Sequence, residues 1–140
     1  KAEISLPQRP NIILLMAGTN DINGNDDVDD APTRLANLID ECVSACPDAV
    51  VIVAQITPIA NSDSEARSQT FNAAIPDIVN ARVAAGHHVL TVDMQGLNGL
   101  TTADLNDGLH PTDEGYAKMA NVWLSGLNQA AASNWITPPV

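Results

Sequence analysis

Only four residues of 140 are aromatic, Phe71, Tyr116, Trp123 and Trp135, which argues against a broad stacking platform for bases or sugar rings. Cationic side chains are nearly as sparse, with 6 Lys+Arg against 17 Asp+Glu and a formal net charge of -11. A protein that neutralises phosphates needs a basic stripe, so nucleic acid, anionic lipid headgroups and heparin-like polyanions are excluded as partners. No apolar run approaches the roughly 18 residues of a membrane span. No Asn-x-Ser/Thr sequon is present, so N-glycosylation of this chain is not expected. An initiator methionine is lacking too. The chain opens on Lys1, and the expectation is that something upstream has been removed or left out. What remains suits one folded domain, residues 1–140: 45% of residues are hydrophobic, too many for a disordered acidic tail.

Hydrophobic periodicity alternates strand with helix. Residues 11–17, 49–56 and 88–92 are apolar runs rich in Val and Ile, ended respectively by Gly18, by Thr57-Pro58 and by Asp93. Runs apolar on both faces suit parallel strands covered by helices on both sides. After Asp30 and Pro32, the residues Leu35, Leu38, Ile39, Cys42, Val43 and Cys46 keep helical spacing. A second helix opens near Ser62-Asp63, carries Phe71, Ile75, Val79 and Val83 at intervals of four, and closes at Gly86. Pro76 inside it predicts a kink or a split. The last helix follows Pro111-Thr112 and is expected to bury Met119, Ala120, Trp123, Leu124 and Leu127. The order β-α-β-α-β-α predicts an α/β fold, a doubly wound parallel sheet in a three-layer α/β/α sandwich. Three strands are few against a mean of about five or six, a second hint that amino-terminal strands are absent from this chain.

In such a sheet, ligands bind beyond the carboxyl ends of the strands. Polar residues gather there: Gly18-Thr19-Asn20-Asp21 after the first strand, Thr57 after the second, Asp93 after the third, and Asp107-Gly108-Leu109-His110-Pro111 before the last helix. A carboxylate three residues before a histidine, across a glycine turn, can accept the imidazole Nδ1–H and leave Nε2 free as a general base. Pro111 restricts His110 to an extended backbone. Asn20 offers an amide that could hydrogen-bond a developing oxyanion. Each signal alone is as common in an ordinary turn; their convergence on one rim is what marks a site.

Gly18-Thr19-Asn20-Asp21 after an apolar strand, followed about ninety residues later by Asp107-Gly108-Leu109-His110-Pro111, resembles the third and fifth conserved blocks of the SGNH hydrolases, or GDSL-type esterases. The flanking Val-Ala-Gln-Ile-Thr-Pro and Asp-Gly-Leu-His-Pro-Thr-Asp-Glu-Gly-Tyr are most similar to the carbohydrate-esterase branch that removes acetyl groups from xylan. The resemblance implies a flavodoxin-like fold with His110 as general base, Asp107 orienting it and Asn20 donating to the oxyanion. Gly18, Thr19, Asp21 and Thr57 are expected on the substrate side. The family's nucleophile is the serine of a Gly-Asp-Ser block on an earlier strand. None of Ser5, Ser44, Ser62, Ser64, Ser68, Ser125 and Ser133 lies in such a block. The expectation is therefore a carboxyl-terminal portion whose nucleophilic Ser lies outside this chain, and which alone has nothing for its base to activate.

Other features carry smaller expectations. Asp21, Asp26, Asp27, Asp29 and Asp30 crowd one loop. Pro32 stands where an EF-hand needs Glu, so a solvated acidic loop is favoured, with a structural Ca2+ near Asp26, Asp27 and Asp29 as the one metal reading and no cofactor required. Cys42 and Cys46 sit about 6 Å apart at i, i+4, within disulfide reach, and a disulfide is favoured over two buried thiols. With the acidity, this predicts a secreted protein. His87 and His88 read as structural, Asp93 as paired with backbone donors, and Trp135 as packed back on the domain. The first strand should show an unprotected edge.

The resulting expectation is a serine ester hydrolase acting on an acetylated polysaccharide such as xylan or on a small ester, with its own N-terminal segment as a further partner. The alternative is a non-catalytic fragment or carbohydrate-binding module on the same fold. A metal-dependent hydrolase using Asp21, Asp107 and His110 lacks a second histidine at ligand spacing.

Overall fold

A computed structural model describes residues 2–138. A short helix α1 (Ala2–Ser5) and a 3-10 turn (Leu6–Gln8) lead into β1 (Ile12–Leu15). Then follow α2 (Thr19–Gly24), α3 (Ala31–Ala45), β2 (Val50–Gln55), α4 (Ser62–Ala84), β3 (Val89–Asp93) and α5 (Asp113–Ala132). The strands form one parallel sheet in the order β1-β2-β3, with Ile12 beside Val50 and Val51 beside Val89. The α/β expectation holds: β1 and β2 lie inside their apolar runs, and β3 extends one residue past its run to Asp93.

β2 is central, and Val50–Ala54 are buried on both faces. Val51 and Val53 pack with Leu35, Ile39, Phe71, Ile75 and Val79 of α3 and α4. Val50, Ile52 and Ala54 pack on the opposite side with Met119, Val122 and Ala130 of α5. Two right-handed crossovers advancing the same way across a sheet put both helices on one face, as α3 and α4 are.

The polar segment after β1 winds into the short helix α2. Three local expectations differ from the structure. α4 runs unbroken through Pro76. A proline inside a helix costs about 3 kcal/mol, while burying Phe71, Ile75 and Val79 recovers roughly 1.5–3 kcal/mol each; Val83, one turn further, is exposed. On α5 the buried line is Met119, Val122, Gly126 and Ala130, whereas Ala120 and Leu124 face outward. The cause is Gly126: a Cβ there would stand 2.8 Å from Val92 Cγ1 and 3.0 Å from Ile52 Cγ2. The helix seats its smallest residue on the sheet and rotates its larger apolar residues aside. Finally, Cys42 and Cys46 are buried free thiols, not a disulfide. The helix ends at Ala45, and Cys46, already outside it, turns its Sγ toward the Leu6 carbonyl at 3.6 Å.

Two of the smaller expectations hold, those for Asp93 and Trp135. Asp93 Oδ1 accepts from the Gln95 N–H at 2.8 Å. Trp135 packs back on the domain and stacks on His88, ring centroids 4.9 Å apart. Among the described residues no helix is long and apolar enough to cross a membrane.

Candidate active site

The segment before α5 closes into a tight loop. Leu105 bridges Pro111 in antiparallel fashion, and the Asn106 N–H donates to the His110 carbonyl at 2.8 Å. Gly108 turns the chain at φ +83°, a conformation that favours glycine. Inside the loop, Asp107 Oδ1 accepts the backbone N–H groups of His110 (2.8 Å) and Leu109 (3.0 Å), while its Oδ2 lies 2.7 Å from His110 Nδ1. These donors, the His110 N–H first, then its ring and then the Leu109 N–H, hold the Asp107 carboxyl far below the usual carboxylate range. The Nδ1 contact orients the imidazole and leaves Nε2 as the nitrogen for chemistry.

The loop is fastened at both ends. Asp104, buried, accepts from Lys118 Nζ at 2.8 and 2.9 Å and from the Thr101 N–H at 2.9 Å; the Lys118 bond comes first among the causes that lower its carboxyl pKa. Its carbonyl takes the Thr112 N–H, and Thr112 caps α5 by accepting from the Gly115 N–H. The Gly108 carbonyl accepts the Ala60 N–H at 2.8 Å, which ties the histidine loop to the one after β2.

That second loop is held from α4. Asn72 accepts the Ile56 N–H (2.7 Å) and donates to the Ile56 carbonyl (3.1 Å), both within the core. Gln95 donates to the same carbonyl at 3.0 Å, and Glu65 accepts the Ile59 N–H at 2.7 Å. Thr57 is buried between these anchors. Sequence reasoning passed over this support. Its signal was the polar stripe Ser64-Ser68-Asn72, spaced by four on a helix face that is otherwise apolar.

After β1 the chain turns directly into α2 because Gly18, at φ +115°, faces the Phe71 ring; a Cβ would meet Phe71 Cζ at 2.8 Å. Arg67 secures the end of α2 through the Ile22 carbonyl at 2.9 Å. Asn20 thereby stands in the first turn of α2, exposed.

Thr19, Asn20, Thr57 and His110 line one depression of about 210 Å³ together with Met16, Leu109, Pro111, Tyr116 and Met119. Four of the seven expected site residues therefore meet there, with Asp107 directly behind His110. Two do not. Gly18 and Asp21 line a neighbouring depression with Phe71 and Arg34, and Asp21 is paired with Arg34 at 2.9 Å. Asp21 thus lines the neighbouring depression and not this one. Met16, Leu109, Tyr116 and Met119 form an apolar wall that the search for polar groups did not anticipate. Among the described residues no serine lines the depression.

Arg34 also rules the acidic loop. Its guanidinium donates to the carbonyls of Asp27 (3.1 Å) and Asp26 (3.4 Å) as well as to Asp21. Asp26, Asp27 and Asp29 are not gathered as metal ligands, and among the described residues no three His, Cys, Asp or Glu side chains are placed to hold an ion. The three-ligand set of Asp21, Asp107 and His110 is likewise not assembled.

Chemically, the depression offers an oriented base, an exposed amide donor and an apolar wall. Residues 2–118 match the profile of the GDSL-like Lipase/Acylhydrolase family. The multidomain esterase of Ruminococcus flavefaciens is 32% identical over 123 residues, which are 84% of this chain and 16% of that protein. The family 3 carbohydrate esterase of Talaromyces cellulolyticus superposes with a TM-score of 0.79 at 29% identity, covering 91% of this chain and 62% of that one. The family 3 carbohydrate esterase of Clostridium thermocellum does so with a TM-score of 0.69 at 32% identity, covering 83% and 55%. The chain spans 48% and 16% of the lengths of two curated relatives that it matches.

Proposed function

Because the chain belongs to the GDSL-like lipase/acylhydrolase family, we propose that its depression is the base-and-oxyanion side of an ester-hydrolysing site for acylated carbohydrate. The observation that carries this reading is the Asp107–His110 contact at 2.7 Å in a loop that also brings His110 to the depression lined by Asn20. In the proposed reaction a serine from polypeptide outside residues 1–140 attacks the acyl carbonyl. His110 takes its proton and returns it to the leaving sugar hydroxyl, and water then repeats the sequence to release the acid. Asp107 keeps Nδ1 engaged throughout. Asn20 donates to the oxygen as negative charge develops on it. The carbohydrate-esterase names of the two family 3 relatives support an acetylated polysaccharide such as xylan as the substrate. An insoluble polymer of that kind fits a secreted enzyme.

The test is the protein made from the whole open reading frame that contains these residues, assayed on nitrophenyl acetate and on acetylated xylan. We expect hydrolysis that a serine-directed fluorophosphonate abolishes and that His110→Ala lowers by about 10²- to 10⁴-fold. Binding of xylan without hydrolysis would favour the non-catalytic module instead.

A further inference from the structure

The base of the site stands on a loop with little burial to hold it. The side chains of His110 and Asp107 are 68% and 58% exposed. A catalytic group has to be held within about 0.5 Å of its productive position, and packing cannot do that for a ring so open to water. Bonds inside the loop fix its shape: the Leu105–Pro111 bridge, the Asn106–His110 backbone bond and the Asp107–His110 contact. They leave open where the loop as a whole sits against Asn20. That placement depends on the ties between the loop and the body of the protein.

At the tip the tie is one backbone bond to another loop, from the Ala60 N–H to the Gly108 carbonyl at 2.8 Å. At the neck the ties meet on Asp104. Its carbonyl accepts the Thr112 N–H at 2.8 Å, and a single bond of that kind is a pivot about which the loop can swing. A second attachment, made by the Asp104 side chain, stops the swing. The carboxylate takes Lys118 Nζ at 2.8 and 2.9 Å and the Thr101 N–H at 2.9 Å. Lys118 belongs to α5, a helix of 20 residues seated on the sheet by Gly126. Its neighbour Met119 lines the depression with His110. The helix that walls the depression therefore also grips the neck of the histidine loop.

The chemistry of the pair suits that task. A charge-assisted bond is shorter and roughly twice as strong as a neutral one, and here the ammonium engages both carboxylate oxygens. Asp104 is buried, whereas the Lys118 side chain is 45% exposed. Replacing the lysine thus removes the grip without opening a cavity in the core. Arg82 and Asp40 form a comparable ion pair at 2.7 Å between α4 and α3. Neither of them lines the depression, so that pair serves as an internal control.

We propose that Lys118 is a positioning residue of this site: through Asp104 it sets where His110 Nε2 stands relative to Asn20. Lys118 lies outside the depression and acts by holding the neck of the loop to α5. Without that grip the imidazole strays from the place where it can take the serine proton. A displacement of about 1 Å costs as much as about 10²-fold in rate. Contacts to substrate made elsewhere are untouched, so the loss falls on kcat and not on KM. The rate effect rests on the proposed function; the effect on the imidazole does not.

The test uses the protein made from the whole open reading frame, with Lys118→Met, Lys118→Arg, Asp104→Asn, the Lys118→Met/Asp104→Asn double variant and Arg82→Met. Two readouts are taken, hydrolysis of nitrophenyl acetate and the ring nitrogen NMR shifts of His110. In Lys118→Met we expect kcat to fall by about 10- to 100-fold at unchanged KM. The His110 shifts should move from one fixed tautomer, with its proton on Nδ1, toward an average of two. Lys118→Arg, whose guanidinium can hold both carboxylate oxygens, should restore both readouts. The double variant should lose no more kcat than the larger of the two single losses, because the two residues act as one unit. Arg82→Met should leave both readouts as they were. Unaltered kcat and shifts in Lys118→Met overturn the inference, and so does an equal loss in Arg82→Met, which would mark a general loss of stability. A loss in KM alone overturns it too. Moved His110 shifts in a protein that hydrolyses no ester sustain the grip on the imidazole and remove the ester chemistry.

Discussion

Asn72, on the buried face of α4, holds both backbone groups of Ile56, accepting its N–H at 2.7 Å and donating to its carbonyl at 3.1 Å. A helix side chain thus replaces the strand partner that β2 lacks past its end, and it fixes where Thr57 enters the depression. The carbonyl keeps a second donor in Gln95; the N–H has none besides Asn72 among the described residues. Asn72→Leu therefore leaves one buried donor unpaired and should cost about 1–3 kcal/mol. Urea unfolding would show it as a lower midpoint at unchanged slope. An unaltered midpoint would mean that the bracket contributes nothing.

Gly126 seats α5 on the sheet. Alanine is the better helix former by about 1 kcal/mol, but its methyl would press on Val92 and Ile52, two side chains of the buried sheet with no room to retreat. Overpacking of that kind costs about 1–3 kcal/mol. Gly126→Ala is expected to lower the thermal midpoint despite the gain in propensity, and a rise would show that α5 slides freely.

Asp107 is ionised well into acid. Its pKa in the folded chain lies below the ordinary carboxylate value of 3.8, so the order it lends the loop is fully present above that value. That order is lost only as pH falls through the lower folded one. A carboxyl titration followed by NMR should show a midpoint under 3.8 for this residue, and the His110 amide shift should move with it. A midpoint at or above 3.8 would contradict the three hydrogen bonds.

Asp107→Asn retains the size of the side chain but removes the charge that holds Nδ1. In the protein that performs the reaction, kcat should fall by about 10²- to 10⁴-fold with KM little changed. A change confined to KM would place Asp107 in substrate binding instead.

Cys42 and Cys46 are buried thiols. Burial pushes the Cys42 thiol up, with Glu41 and Cys46 adding to the effect. Both should resist Ellman's reagent in the native protein and react fully in denaturant without a reductant. Fewer than two thiols under those conditions would reveal a disulfide.

Much of the architecture was legible in the sequence. Three Val- and Ile-rich runs mark parallel strands because a strand covered on both faces has no polar side to show. Asp107 and His110 could be proposed as a pair from their spacing across a glycine turn together with the other polar groups at the same rim, and the contact at 2.7 Å bears that out. The position of Asp21 was not legible: one residue after Asn20 in the chain, it lines a neighbouring depression, paired with Arg34 of α3. The disulfide reading failed on a boundary, because α3 stops one residue before Cys46.

By itself, then, the sequence determined the order of strands and helices, the acidic surface and the local Asp–Gly–Leu–His turn. Each of these depends on residues near one another in the chain. Only the tertiary structure decided which polar groups share a depression and which residues of α5 meet the sheet. Those depend on Gly126 reaching Val92, Phe71 lying beneath Gly18 and Asn72 reaching Ile56. Contacts of this kind are settled by packing between distant segments, where a single Cβ or amide outweighs the periodicity of the helix that carries it.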